Sequence, residues 1–496
     1  MDFGSSSIGG TNSIQYLVDQ YMAIESRPRD KLIQQQNNLR KKKNIYSDLD
    51  SKLSALQSKM KYFTDVISLP FQAKKASSSD DSKVKVRIQN TAAKGNHTIT
   101  VQQLARADTR VSNQFSDSGT DFSSFTTDQT FTIQVAHPTD DDPNNRVDIS
   151  VTVGADTFSK NNGEVLQDIA QAINDAMASA AADGNITSDE MAQASIITEQ
   201  NGVSRLVLTS GQTGYTNRLG FGSSTLLDTL NINNNAQTSG TTGGYVYNVG
   251  TSATDSALNS VFVLDGLTMY RDSNTVEDAY DGITFELKDT FDQEVTVNVN
   301  TDTESIKKDI QDFIDKYNDV IDYLTKNARI NSVTYEKGAL QDDTIYASMI
   351  SDLRGLVSES VDTASSDNYK LLYSIGIEAD QDGKLSIKDE SKLTEALETN
   401  PTYVSDLFVS DDGVANKLND YIERFVKTGG SIDSSKKLID EQIKNLDDRI
   451  DYMNELLDKK EKQYYEEFTK MQETMNTLQN QQAYFSQFMN TGGSAY

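Results

Sequence analysis

The sequence predicts an α+β multidomain protein, with α-helical coiled-coil segments at both ends of the chain and β-rich domains between them. Near each end, apolar residues recur at intervals of three and four positions, which is typical of a helix that packs along another helix. In the centre, apolar and polar residues alternate one by one, which is typical of half-buried strands. We therefore expect the two ends to carry assembly contacts.

The amino-acid composition excludes several classes of functional site. The chain of 496 residues has no Cys, so it can hold no disulfide, zinc–thiolate site or cysteine nucleophile. His97 and His137 are its only histidines, which leaves almost no basis for a histidine triad or a multi-histidine metal site. We predict that the protein is not an enzyme and that it uses no cofactor.

The sequence predicts neither a membrane span nor a Sec-type leader. No stretch reaches the roughly 18 consecutive apolar residues that a spanning helix needs. Residues Met1–Gly10 are rich in Ser and Gly, with no basic start and no apolar run. If the protein leaves the cytoplasm, we expect it to use an export route other than the Sec route.

The charge is strongly negative but unevenly distributed. The formal net charge is −28, whereas residues 1–75 carry 12 Lys/Arg and 7 Asp/Glu. An acidic chain argues against nucleic-acid binding, because neutralising phosphates requires a basic face. The cluster Arg40–Lys43 lies inside a helical pattern, and we interpret it as a solvated face or a surface for an acidic partner. A basic N-terminal arm and an acidic C-terminal region favour charge-complementary packing of subunits.

The N-terminal part divides at Pro28 into a terminal helix segment, residues 1–30, and a coiled-coil helix, residues 31–75. Asn12 or Ser13 is a plausible cap for the first helix. The second shows a seam of apolar residues that we expect to continue through Ile67 and to end at Pro70. The seam residues predicted to carry association here are Leu49, Leu53, Leu56, Met60 and Phe63.

The centre is predicted to form two β-rich domains. Residues 76–115 and 245–300 are assigned to an inner domain, and residues 116–244 to an outer domain inserted into it. The predicted strands are Val84–Ile88, Thr98–Val101 after a turn at Gly95–Asn96, Phe131–Val135, Val147–Val153, Arg205–Thr209, Val261–Leu264, Ile283–Leu287 and Val295–Val299. Val165–Ala176 has helical spacing, and the polar stretch Asn233–Gly244 is typical of a long loop.

Helical periodicity returns after residue 300. Residues 301–430 are predicted to be mixed but mainly helical, residues 431–490 to form a C-terminal coiled-coil helix, and residues 491–496 to be a tail. The predicted helices of the mixed part are Ile306–Leu324, Ile345–Val357, Leu393–Leu397 and Tyr403–Phe408. The predicted C-terminal seam comprises Ile443, Leu446, Ile450, Met453, Leu457, Phe468, Met471, Met475 and Leu478. For both seams, the alternative is an ordinary helix packed within its own domain.

Two acidic segments partly fit a calcium loop. Glu378–Asp389 places oxygen ligands and Gly383 at the positions of an EF-hand loop, but it begins with Glu and ends with the shorter Asp. Asp183–Glu190 fits only half of such a loop, and Asp140–Asp142 is typical of a solvated loop tip. Tight acidic turns explain all three, and the sequence leaves calcium binding by Glu378–Asp389 open. The chain has no phosphate-binding Gly loop with Lys and no Gly-x-Ser-x-Gly motif.

A series of short stretches, in one order along the chain, resembles the flagellar filament cap family, also called hook-associated protein 2 or FliD. These stretches are Gly95–Ala105, Arg205–Gly214, Phe262–Leu267, Arg271–Asn274, Asp281–Leu287, Phe313–Asn318, Ile375–Ile377, Asp382–Leu385, Asn400–Pro401, Leu407–Phe408 and Met471–Phe485. The family usually opens with a Gly/Leu/Ser-rich segment before its first helix, and Ile8–Ile14 is a loose version of it.

The resemblance implies a homo-oligomeric ring at the distal tip of the extracellular flagellum. The terminal helices would be its legs and the β-rich domains its head, and flagellin would fold and insert beneath it. It also implies export by the flagellar type III route, a chaperone on the C-terminal helix before export, and a hook-associated junction protein as a neighbour. The number of subunits, the residues that contact flagellin, and host or glycan binding by the outer domain stay open.

Three other functions remain as alternatives at the level of sequence. A surface adhesin with a coiled-coil stalk would require host binding by residues 80–300 in isolation. Another axial flagellar component, such as a hook–filament junction protein, would share the terminal helices. An enzyme acting on polysaccharide is the least favoured, because no catalytic constellation supports it.

Overall fold

The computed structural model describes residues 11–140, 142–233, 235–237, 240–330, 335 and 337–491. Two compact units divide the chain: residues 1–71 with 303–496, and residues 72–302. The order of elements confirms the predicted fold class, since helices occupy both ends and strands dominate the centre. Among the described residues, no helix is both long and apolar enough to cross a membrane.

The helices of the described residues are α1 (Thr11–Glu25), α2 (Arg27–Phe63), α3 (Asn162–Ala182), α4 (Thr225–Leu230), α5 (Thr303–Ala328), α6 (Thr344–Ser358), α7 (Glu390–Thr399), α8 (Pro401–Val409), α9 (Val414–Val426) and α10 (Ser431–Thr491). The strands are β1 (Lys74–Ser78), β2 (Val84–Ile88), β3 (Gly95–Gln103), β4 (Ala107–Val111), β5 (Phe115–Ser116), β6 (Gln129–Ala136), β7 (Arg146–Val153), β8 (Gln193–Gln200), β9 (Val203–Thr213), β10 (Gly220–Phe221), β11 (Gly244–Tyr245), β12 (Ser260–Leu264), β13 (Leu267–Arg271), β14 (Thr275–Tyr280), β15 (Ile283–Leu287), β16 (Phe291–Thr301), β17 (Ile377–Ala379) and β18 (Leu385–Ile387).

The boundary between α1 and α2 lies one residue after Glu25, at Ser26. Pro28 falls in the first turn of α2, where its missing N–H has no helical partner to lose. The backbone N–H of Ser26 still donates to the Met22 carbonyl at 2.8 Å. The two N-terminal helices therefore follow each other almost without interruption.

The end of α2 differs from the prediction, because the helix stops at Phe63 and not at Pro70. The Asp65 carboxylate accepts hydrogen bonds from the backbone N–H groups of Ile67 and Ser68 at 3.0 and 3.3 Å, which stabilises a turn in place of further helix. Ile67 is consequently 87% exposed, and its assignment to the seam was wrong.

The first part of the β-rich unit is a pair of antiparallel sheets. One has the strand order β1-β16-β3-β12-β13 and the other the order β14-β15-β2. Apolar side chains from both sheets meet in one core, among them Val101, Phe262 and Phe285. Gly95 and Asn96, predicted as a turn, lie in β3 and pair with Val299 and Asn298.

The second part of the unit combines two further sheets with α3. The sheets have the orders β10-β6-β7 and β11-β4-β9-β5, with β8 also paired to β9, and α3 packs against β7, β8 and β9. Because β4 pairs with β9, this part begins at Ala107, before the predicted boundary at residue 116. Arg110 and Asp108 form a buried ion pair at 2.8 Å. The Arg110 guanidinium also donates a hydrogen bond to the carbonyl of Asn233, at the start of the predicted loop.

Two helices were not predicted, although one of them had a clear signal. Helix α9 buries Val414, Leu418, Ile422 and Phe425, whose spacing of four, four and three residues is that of an amphipathic helix. The short helix α4 offers little more than one turn of pattern, which is too short for periodicity to identify.

Candidate assembly surface of the helical unit

Helix α2 is the central element of the helical unit. It packs against α5, α9 and α10. Leu49, Leu53, Leu56 and Met60 are fully buried there. Complete burial of one such side chain contributes about 1.5–3 kcal/mol to folding. The C-terminal half of the predicted N-terminal seam is therefore the core of a helical domain formed within one chain.

Aromatic rings close this core where α2 ends. The Phe63 ring lies 4.9 Å from that of Phe71 and 5.4 Å from that of Phe408, measured between centroids. Phe313 of α5 lies 5.9 Å from Phe408 with its ring nearly perpendicular. Tilted and perpendicular ring pairs at such distances are favourable. Phe63 thus joins α2 to α5, α8 and the segment after α2.

Buried polar contacts specify how α2 docks on its neighbours. The side chain of Lys59 is only 7% exposed, and its ammonium group donates to Asp309 at 2.6 Å and lies 3.2 Å from an oxygen of Asp312 on α5. The Tyr46 hydroxyl donates to Asp343 at 3.1 Å. Burial, reinforced by the Asp343 carboxylate, raises the pKa of Tyr46 above its ordinary range. The Lys59 contacts favour one register of α2 against α5, and the Tyr46 contact joins α2 to the start of α6.

Helix α10 runs alongside α2 in the antiparallel direction. Its Lys436 contacts Asp50 at 2.9 Å, and its Asp440 contacts Lys43 at 2.5 Å. Further along, the amide of Gln36 donates to Asp447. The seam residues behave differently from one another here: Leu446 is buried, whereas Ile443, Ile450 and Met453 are half-buried.

The same helix then continues past α1. Lys460, which interrupts the apolar seam, forms an ion pair with Glu25, and the Tyr464 hydroxyl donates to Glu25 at 3.0 Å. The rings of Tyr464 and Phe468 lie 5.4 and 5.5 Å from the ring of Tyr21. Leu457 is buried between these contacts and those to α2. The hydrogen bonds from Lys460 and then Tyr464 hold the pKa of Glu25 below its usual value of 4.5.

Beyond Phe468 the seam of α10 has no cover among the described residues. Met471 is 46% exposed, Met475 38% and Leu478 57%. Tyr484, Phe485 and Met489 are more exposed still. The predicted N-terminal segment lies partly outside the described residues, since their first residue is Thr11. Within the described residues, α10 therefore carries an uncovered apolar stripe of about five turns, from Met471 to Met489.

The acidic segments Glu378–Asp389 and Asp183–Glu190 contain turns, whereas Asp140–Asp142 lies partly outside the described residues. Ile377–Ala379 and Leu385–Ile387 pair as a hairpin, so strands and not helices flank the turn inside Glu378–Asp389. Helix α7 begins directly after the segment, and Asp389 caps its first turn. Within the turn, Asp380 accepts hydrogen bonds from the backbone N–H of Lys384 at 2.9 Å. Among the described residues, no group of three or more His, Asp or Glu side chains is arranged to hold a metal ion.

Comparison with known proteins identifies relatives along most of the chain. A family model for the N-terminus of flagellar hook-associated protein 2 matches residues 12–108, and one for its C-terminus matches residues 257–480. An A-type flagellar hook-associated protein 2 of Pseudomonas aeruginosa is 25% identical over 489 residues, covering 96% of this chain and 95% of that protein. Flagellar hook-associated protein 2 of Escherichia coli strain K12 is 26% identical over 505 residues, covering 99% of each chain.

A solved structure agrees with these relatives. The crystal structure of the D1-D2-D3 domains of the flagellar cap protein FliD from Escherichia coli matches with a TM-score of 0.58 at 27% sequence identity. The match covers 80% of this chain and 99% of the solved one. The likeness therefore includes the greater part of the fold described above.

Replacing Leu53 and Leu478 by Ala separates the two kinds of seam position. Leu53→Ala removes fully buried methyl groups and should lower the free energy of unfolding by about 2–5 kcal/mol. Leu478→Ala acts at an exposed position and should change it by less than about 0.5 kcal/mol. Urea unfolding followed by circular dichroism, at a concentration where the chain is monomeric, measures both. Equal effects of the two substitutions would contradict the assignment of Leu53 to the core of the single chain and of Leu478 to its exposed surface.

Acidification should weaken the contact between α1 and α10. Because the folded-state pKa of Glu25 is lowered, its contribution is present above 4.5 and is lost as the pH falls below that value. Glu25→Gln should therefore lower the melting temperature at neutral pH, and the difference from the unmodified protein should shrink progressively as the pH falls below 4.5. Thermal melts across this range measure it, with Glu473→Gln at an exposed position of α10 as the control. A difference that persists unchanged in acid would refute the role of this carboxylate.

Proposed function

The chain belongs to the flagellar hook-associated protein 2 family, and we propose that it forms the cap at the distal end of the bacterial flagellar filament. As an oligomeric ring, the cap promotes the folding and insertion of flagellin while the filament grows. The role is structural and needs no cofactor. The family relationship, which spans residues 12–108 and 257–480 and so includes helices from both terminal regions, is the observation that supports this function most directly.

The exposed part of α10 suits a protein that must change partners. Isolated helices are marginal in water, so the segment after Phe468 gains its stability from whatever covers its apolar stripe. Before export, an export chaperone would shield this stripe. After export by the flagellar type III route, other subunits, flagellin or the hook-associated junction protein would replace it.

The β-rich unit supplies the other half of the proposed cap. Its two domains have separate cores and bury nearly all of their large apolar side chains, so they need no partner to fold. We assign this unit to the head of the ring and the helical unit to its legs. Seam residues that are buried within one chain hold the leg together, and those that remain exposed serve association.

Deletion of the gene tests the proposed function. Cells without the protein should release monomeric flagellin into the medium and bear no filaments, because flagellin that leaves the channel is no longer held for insertion. Electron microscopy of the cells and immunodetection of flagellin in the medium measure both, and the reintroduced gene is the control. Filaments of normal length would contradict the cap function. Host binding by residues 80–300 with normal filaments would instead favour an adhesin.

A charge on the exposed stripe tests how the cap associates. Leu478→Asp changes a side chain that is mostly exposed in the single chain, so the chain should fold normally. Filament growth should nevertheless fail, because an apolar partner can no longer cover the stripe. Motility and light scattering measure the effect. Thr477→Asp, at the neighbouring exposed position, is the matched control. Leu457→Asp should also fail, but with loss of folding stability, because Leu457 is buried. Normal filaments with Leu478→Asp would overturn the assignment of this stripe.

A further inference from the structure

A second surface of the helical unit remains unexplained by these contacts. Between α2 and α10 lies a groove formed by two adjoining cavities of about 510 and 540 Å³, which share Gln35 and Arg449 in their walls. The floor of the groove consists of apolar side chains from both helices, and its rim carries basic residues. We call the whole surface the basic groove. The floor residues are Leu32, Leu39, Leu446 and Met453.

The rim of the basic groove is positive in a chain whose net charge is −28. Lys31 and Lys42 of α2 and Arg449 of α10 line it, and no Asp or Glu does. None of the three forms an ion pair with any described residue, although several other lysines of the same helices do. The groove therefore offers three unpaired cations around an apolar floor, which favours an acidic helix as its occupant.

The same chain carries a helix surface of the opposite charge. Asp448, Asp451, Glu455 and Asp458 follow one another on α10 at intervals of three, four and three residues, which places them on one face of the helix. All four are exposed. None of them is ion-paired within the described part of the chain. We call this surface the acidic stripe.

The two surfaces match in length and point in different directions. The stripe from Asp448 to Asp458 extends about 15 Å, and Lys31 to Lys42 on the groove extends about 16 Å, at 1.5 Å per residue. At about 100° per residue, the stripe lies on the side of α10 opposite Leu446, which faces α2. One copy can therefore use both surfaces at once with two different neighbours.

We infer that the acidic stripe of one copy of this chain docks in the basic groove of the next. Such a contact joins different surfaces of identical subunits, and it closes into a ring when the rotation per subunit allows. The apolar floor supplies burial, while the charges set the register and reject other pairings. This inference rests on the proposed function only in that a cap is an assembly of copies, and it adds which surfaces meet.

Charge reversal in the full-length chain tests the pairing. The groove variant carries Lys31→Glu, Lys42→Glu and Arg449→Glu, and the stripe variant carries Asp448→Lys, Asp451→Lys and Glu455→Lys. Each should weaken self-association about tenfold or more, and equimolar mixing of the two variants should restore it, because each then offers the complement of the other. One chain with all six changes should also assemble. Sedimentation equilibrium at low and high salt measures the association, which should weaken with salt in the unmodified protein.

A control variant separates the proposed contact from a general effect of charge. Lys308→Glu, Lys326→Glu and Lys427→Glu change the net charge by the same amount at exposed positions outside the groove, and should leave association unchanged. Circular dichroism verifies that every variant folds. The inference is overturned if the groove variant assembles like this control, or if neither mixing nor the six-fold swap restores assembly. If these variants overturn the inference while deletion of the gene still abolishes filaments, the proposed contact is rejected and the proposed cap function is retained.

Discussion

The burial of one face of α2 is the constraint on which the helical unit depends. This helix comes from the beginning of the chain, yet its neighbours α5, α9 and α10 all follow residue 302. The Leu49 to Phe63 face supplies the apolar surface that brings these distant segments together, and Lys59 and Tyr46 fix the register through buried contacts to Asp309 and Asp343. Since these helices share one core, α2 is held alongside helices from the C-terminal part of the chain.

That arrangement explains why the end of α10 is available for assembly. Helices α1 and α2 cover α10 only as far as Phe468, and the described chain offers nothing for the remaining apolar stripe. A stripe of this size is costly to leave in water. In an assembly protein, burial of this exposed stripe by a partner supplies the driving force for association. The buried and exposed halves of one continuous helix thus have different roles.

The separation of charges has a related consequence. Positive residues concentrate on α2, and negative residues on the outer face of α10. Within one chain, this separation supports the antiparallel pair through Lys43 with Asp440 and Lys436 with Asp50. The charges left unpaired lie on different sides of that pair, where exposed ion pairs would add little individually but can select a partner and an orientation.

Among the described elements, local pattern was enough for most helices but for fewer than half of the strands. It failed where a short segment or a distant contact determined the structure. The strand Ile283–Leu287 and the helix around Ile306–Leu324 follow their periodicity closely. The end of α2 depended on hydrogen bonds from Asp65, and Gly95 entered a strand because Val299 pairs with it. Helix α9 was missed despite a readable pattern in Leu418 and Ile422.

By itself, the sequence determined the helical ends, the sheet-rich centre, the absence of thiol chemistry and the apolar positions of both seams, because these follow from residue type and from periods of 2 and 3.6. Only the tertiary structure decided which seam positions are covered within one chain. Leu53 and Leu478 occupy the same kind of position in their patterns, yet Leu53 is fully buried on a helix that packs against α5, α9 and α10, whereas Leu478 is 57% exposed. Periodicity reports that a face will be buried, whereas the partner that buries it depends on contacts between segments hundreds of residues apart.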